Sequence, residues 1–213
     1  MTVEGLRIVP LTPDRLPDLA ALFGQGGDPR WCWCSWYRTS GGGWPAKRDD
    51  RVAPNRAVMQ DAVRTLGRQG RAPGLVAYRD GEAVGWVSLG PREDYPRLEH
   101  STVLRRLDDK PVWSIVCFVV GKRSRGQGIA NALLEAAMDY ARERGATLLE
   151  AYPTDSHGKR IPAAYAYTGT LGMFERAGFS VAAVRRFNEK SPEHPIVRRR
   201  VRRTKTTAAA RTA

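Results

Sequence analysis

The residues most suited to chemistry form a short run, RSRGQGIA (123–130), between two unlike neighbours. Before it lies SIVCFVV (114–120), an unbroken apolar segment; after it NALLEAAMDYARERG (131–145) has helical periodicity. The run therefore joins a strand to a helix. A helix N-terminus exposes unpaired backbone N–H groups and about half a positive charge, which together attract anions. Gly126 and Gly128 remove side chains that would hold a phosphate off the backbone, while Arg123 and Arg125 add cationic donors. The chemistry expected is a cradle for a diphosphate. Neither common nucleotide loop is present: the Gly-x4-Gly-Lys-Ser/Thr pattern is missing, and Gly128 is followed by Ile129, Ala130 and Asn131 rather than by the third glycine of a dinucleotide loop.

A second cluster is aromatic. WCWCSWYR (31–38) holds three tryptophans, a tyrosine and an arginine in eight residues. Aromatic faces attract alkylammonium groups, and a guanidinium such as that of Arg38 can hold a carboxylate or phosphate in bidentate fashion. Trp33, Trp36, Tyr37 and Arg38 are accordingly the candidate substrate contacts, against the alternative of a satellite core pinning a glycine-rich loop. Cys117, in the middle of SIVCFVV, is read as a small core residue and not as a nucleophile, because buried thiols are inert. Cys32-x-Cys34 lacks a second ligand pair, and His100, His157 and His194 are scattered, so no metal site is expected.

These residues need elements to position them. LRIVPL (6–11) reads as a strand and residues 12–24 as a helix. Residues 55–70 form an amphipathic helix with Val58, Ala62, Val63 and Leu66 on one face. GLVAYRDGEAVGWVSLGP (74–91) is a hairpin turning on Asp80-Gly81. A polar stretch with helical character (92–108) leads to the strand 112–120, the helix ending near Gly145, the strand ATLLEAYP (146–153), a short helix over 169–179, and two final strands, 179–187 and 195–201. This order predicts a mixed α/β sheet with helices on both faces.

Composition sets bounds. At 213 residues the chain suits one domain, 1–202, followed by a basic tail, 203–213, expected to be disordered. No apolar run approaches the ~18 residues of a membrane helix. The first residues, MTVEGLRIVP, carry no leader-like apolar stretch, and three cysteines make no disulfide framework, so a cytoplasmic protein without membrane contact is expected. About +8 of the net +13 falls in the last 31 residues. No aromatics interleave with RRRVRRTK (198–205), which argues against single-stranded nucleic acid as a partner.

The 123–130 loop resembles that of the GCN5-related N-acetyltransferase family, Gln/Arg-x-x-Gly-x-Gly/Ala. It matches in two overlapping registers, Arg123-x-x-Gly126-x-Gly128 and Arg125-x-x-Gly128-x-Ala130. The flanking strand and helix, ATLLEAYP and LGMFERAGF follow in the family's order, so the likeness covers 112–182, the acyl-CoA-binding core. The resemblance implies an N-acetyltransferase that uses acetyl-CoA and a primary amine of a small molecule or peptide, with direct attack on the thioester. It places the backbone of Phe118, Val119 and Val120 along pantetheine, the pyrophosphate on 125–130 (Arg125, Gly126, Gln127, Gly128, Ile129, Ala130) beside Arg123, and Phe174 against the cofactor arm. The acceptor side falls on the aromatic loop, 31–45. It also allows a homodimer through the last strands.

Two family positions depart from pattern. The strand glutamate that acts as base is Ser114 here, and the tyrosine that acts as acid is Phe174. The expected replacements are Glu150, a lone carboxylate in an apolar strand, as base, and Tyr167 (or Tyr165) as acid. These losses motivate a rival reading: a coenzyme A sensor without turnover. A less favoured rival is a nucleic-acid binder using the basic C-terminal run.

Overall fold

The computed structural model describes residues 5–40, 47–159, 161–162 and 165–202. Trp44, part of the expected acceptor loop, and the tail 203–213 lie outside these residues. The chain runs β1 (Arg7–Pro10), α1 (Leu16–Gly24), α2 (Pro29–Cys32), α3 (Val52–Gly67), β2 (Gly74–Arg79), β3 (Glu82–Pro91) and α4 (Pro96–Glu99). Then follow β4 (Trp113–Val120), α5 (Ile129–Glu143), β5 (Leu148–Ala151), α6 (Leu171–Arg176), β6 (Ser180–Arg185) and β7 (His194–Arg200). The seven strands form one sheet in the order β1-β2-β3-β4-β5-β7-β6, antiparallel except for the parallel pair β4–β5.

The sheet is covered on both sides because its central strands are apolar in both directions. On one face Leu75, Ala77, Val87 and Ile115 meet the stripe Ile129, Leu133, Leu134, Ala137 and Ala141 of α5. On the other, Val76, Trp86 and Val116 meet Leu19, Leu22 and Phe23 of α1. Burying each such side chain contributes about 1.5–3 kcal/mol. The β2–β3 turn is made by Asp80 and Gly81 at φ 51 and 81, the left-handed pair that a tight hairpin needs.

Two expectations shift. The face of α3 that is buried comprises Asn55, Met59, Val63 and Leu66; Val58 and Ala62 flank it. The polar stretch 92–108 shows its helical character in two short pieces, a 3-10 turn at Arg92–Asp94 and α4 at Pro96–Glu99. Arg92 is drawn into the interior, where it donates to Glu99, Glu150, Tyr152 and the carbonyls of Leu98 and Leu104.

Candidate functional site

The sheet opens in its middle. β4 pairs with β5 only over Trp113–Ile115, opposite Leu149–Ala151, while β4 itself continues to Val120. Its far half therefore faces a gap, at the mouth of which lies a cavity of about 1240 Å³. Phe118, Val119 and Val120 line it. An unpaired strand edge leaves backbone groups that something must satisfy. Here the Phe118 N–H donates to the Tyr167 carbonyl at 2.6 Å. The Val120 carbonyl accepts from Arg125 Nε at 3.2 Å.

Below this edge the chain turns into α5. Gly126 and Gly128 take φ 76 and 77, on either side of Gln127, and turn successive amides to one side before α5 begins at Ile129. Such concavities bind anions. No atom lies within 4 Å of where a Cβ on Gly126 would stand, so the backbone conformation, not crowding, calls for glycine there. Arg125, Gly126, Gly128, Ile129 and Ala130 line the cavity. Arg123 and Gln127 do not. The Gln127 side chain donates to the Arg123 carbonyl at 3.0 Å and accepts from Arg79, tying the loop to the β2–β3 hairpin. Phe174 is also off the cavity, wholly buried and edge-on to Phe118 and Phe179. Among the described residues five cationic side chains, Arg48, Arg51, Lys122, Arg125 and Arg176, line the cavity against one carboxylate, Asp28, an electrostatic match to a ligand with several phosphates.

The opposite wall is the aromatic segment. Trp31, Cys32, Cys34, Trp36 and Tyr37 line the cavity. Two expected contacts point elsewhere. Trp33 is buried edge-on against Phe23 at 5.5 Å, because it and Cys34 adopt left-handed φ of 49 and 47, which turns Trp33 into the core. Arg38 donates to the Pro73 carbonyl at 3.1 Å and the Tyr95 hydroxyl at 3.0 Å and lies over the Tyr95 ring, which fixes it to the fold. Arg48 covers Trp31 and Arg97 covers Trp36. Burial pushes the phenols of Tyr37 and Tyr167 above the ordinary tyrosine range. Burial likewise raises the Cys34 thiol, while the Cys32 thiol is raised first by its hydrogen bond with Cys34. A second cavity of about 720 Å³ shares Trp36, Tyr37 and Tyr167 with the first, and its lining also includes Arg97, residues 100–104 and 152–154, Tyr165, Phe187 and residues 192–195. Tyr37 and Tyr167 thus stand where the two cavities meet.

Glu150 does not face either cavity, contrary to its expected place as a base. It is 1% exposed, and both carboxylate oxygens are occupied. Oε1 accepts from Arg92 Nη1 at 2.8 Å and from the Tyr152 hydroxyl at 2.7 Å, and Oε2 accepts from Arg198 Nε at 2.7 Å. Ser114, in register with Glu150 on the neighbouring strand, joins the same network through Tyr152 at 2.9 Å. Two guanidinium groups around one carboxylate fix it in place, a role of cohesion.

The sequence model of the GNAT acetyltransferase family matches residues 31–179. The chain belongs to that family. Solved structures of similar fold include an apo mutant of agmatine N-acetyltransferase (14% identity, 93% of this chain, 100% of that one, TM-score 0.57). A GNAT-family acetyltransferase from Streptococcus pneumoniae matches at 16% identity over 92% of this chain and 99% of that one, TM-score 0.55. A GCN5-related N-acetyltransferase from Kribbella flavida matches at 16% over 94% and 100%, TM-score 0.54. No curated protein sequence matches the chain. Among the described residues no helix is long and apolar enough to cross a membrane.

As a GNAT acetyltransferase the protein is an acyl-CoA-dependent enzyme, and the family generally uses acetyl-CoA. Its departures now have a physical setting. A glutamate in place of Ser114 would crowd a second carboxylate onto Glu150; the serine instead completes the Arg92–Glu150–Arg198 network. Sequence reasoning did not single out Arg92 and Tyr152. Their signal, an arginine after a strand and a tyrosine two residues beyond a buried glutamate, has meaning only once β4 and β5 are side by side.

Proposed function

We propose that the protein transfers an acetyl group from acetyl-CoA to a primary amine of a small molecule or peptide, through one catalytic unit spanning residues 1–202. The supporting observation is the continuity of one cavity from the glycine cradle, along the unpaired half of β4, to the Tyr37–Tyr167 pair. Bound there, acetyl-CoA supplies an activated acetyl thioester. Backbone amides from 126 to 130, with Arg125 and Lys122, hold its phosphates. The backbone of 118–120 runs along its amide-bearing arm, and Phe118 has an N–H that the Tyr167 carbonyl must yield for that arm to use.

On this reading the amine enters from the second cavity and meets the thioester at Tyr37 and Tyr167. Most of the acceleration comes from alignment. Tyr167, kept protonated by its raised pKa, gives its proton to the departing sulfur, and Tyr37, which lines the same two cavities, is placed to replenish the phenol. Proton acceptance from the ammonium passes to the second cavity, where burial holds His194 below the ordinary histidine range and so neutral at pH 7. Glu150 takes no part.

A thiol-release assay over a panel of primary amines tests this. The wild type is expected to turn over at least one amine, and Tyr167→Phe to lower kcat on the order of 100-fold with the acetyl-CoA KM within about twofold. Tight coenzyme A binding with no release on any amine would favour the sensor; an unchanged kcat in Tyr167→Phe would remove that residue from the proton path.

A further inference from the structure

Only three cysteines occur in the chain, and the fold brings all of them to one wall of the large cavity. Two departures from regular backbone achieve this. The β3–β4 register skips Val116, pairing Leu89 with Ile115 and Ser88 with Cys117. This bulge puts Cys117 on the same face as Val116, toward α1 and the aromatic segment, where strict alternation would have sent it to the α5 side. From the other direction, Trp33 and Cys34 both take left-handed φ, an unfavourable conformation for residues with a Cβ. The outcome is a Cys34 Sγ to Cys117 Sγ separation of 2.9 Å between residues 83 apart in sequence. A sulfur–sulfur bond is about 2.05 Å long, so closure asks for a displacement of under about 1 Å. Both thiols are free and both line the cavity, so the reading of Cys117 as an inert core residue gives way to this contact.

We propose that Cys34 and Cys117 are a site of reversible disulfide formation, which clamps the aromatic wall to β4. With hydrogen peroxide as oxidant, one thiol gives up its proton as its sulfur attacks the O–O bond, becoming a sulfenic acid while the departing hydroxide takes a proton and leaves as water. The second thiol, losing its own proton in the step, then attacks that sulfur and displaces a second water. Two thiols and one peroxide thus give one disulfide and two waters, with two electrons passed from sulfur to oxygen. A dithiol reductant reverses the bond by exchange. The bond ties Ser35–Tyr37 to the strand that carries Phe118, making the stiffness of the acceptor wall depend on the redox state of its surroundings.

The test uses the purified, fully reduced chain treated with peroxide, and does not depend on acetyl transfer. Free thiols titrated after denaturation should fall from three to one, and peptide mapping by mass spectrometry should recover the Cys34 and Cys117 peptides joined. The span of 83 residues predicts a rise in Tm on the order of 10 °C, erased by dithiothreitol. Cys32→Ser should keep all three responses, and Cys34→Ser or Cys117→Ser should lose them. The proposal is overturned if three thiols persist, if the recovered link is Cys32–Cys34 or intermolecular, or if Tm does not rise. The mapping on the unmutated chain decides the matter even if a serine variant fails to fold.

Discussion

The two walls of the cavity are built in opposite ways. The cradle wall is consecutive chain: β4 ends, two glycines turn the amides, and α5 begins, all within residues 120–130. The aromatic wall is assembled from afar. Trp31–Tyr37 come from the α1–α3 connection, Cys117 from a bulge in β4, and Tyr167 from the loop before α6. In the first wall function follows from which residues occur. In the second it follows from which way each one turns, and neighbours in sequence end on opposite sides of a core boundary.

That contrast can be broken by mutation. The largest effect should fall on the network behind both walls. Glu150→Leu leaves Arg92 and Arg198 without their shared carboxylate and should cost about 3–5 kcal/mol of stability, read by denaturant unfolding. A cleft-facing base would behave otherwise, with kcat falling at unchanged stability.

Next comes a pair of tryptophans two residues apart. Trp33→Ala empties a core site against Phe23 and should cost about 3–5 kcal/mol in the same measurement. Trp31→Ala removes a cavity-lining ring and should leave stability within about 1 kcal/mol. It should raise the KM of acetyl-CoA, whose cavity it lines, roughly three- to tenfold. If the two variants exchanged these behaviours, the left-handed turn at Trp33–Cys34 would not divide core from site.

The same contrast explains what was legible in the sequence. Periodicity found every strand, and the order of strands and main helices, because alternation and helical stripes are local consequences of burial. The strand–glycine–helix junction was legible for the same reason. Arg38 and Trp33 misled because residue type names a capability, while direction is set by backbone angles that composition does not encode. Glu150 misled because a lone carboxylate in an apolar strand looks uncompensated until Arg92, 58 residues away, is seen beside it. The helical character read over 92–108 is confined to short turns at Arg92–Asp94 and Pro96–Glu99, with the Arg92 side chain held inside by partners on other elements.

The central claim is that the amides opening α5 hold the diphosphate of acetyl-CoA. Isothermal titration of acetyl-CoA into the wild type and into Gly126→Val tests it most directly. Binding in the micromolar to millimolar range is predicted for the wild type. The variant should bind at least about tenfold more weakly, since a branched side chain opposes φ 76 and stands where the phosphate would lie. No heat with the wild type, or equal affinity in the two proteins, would contradict the account.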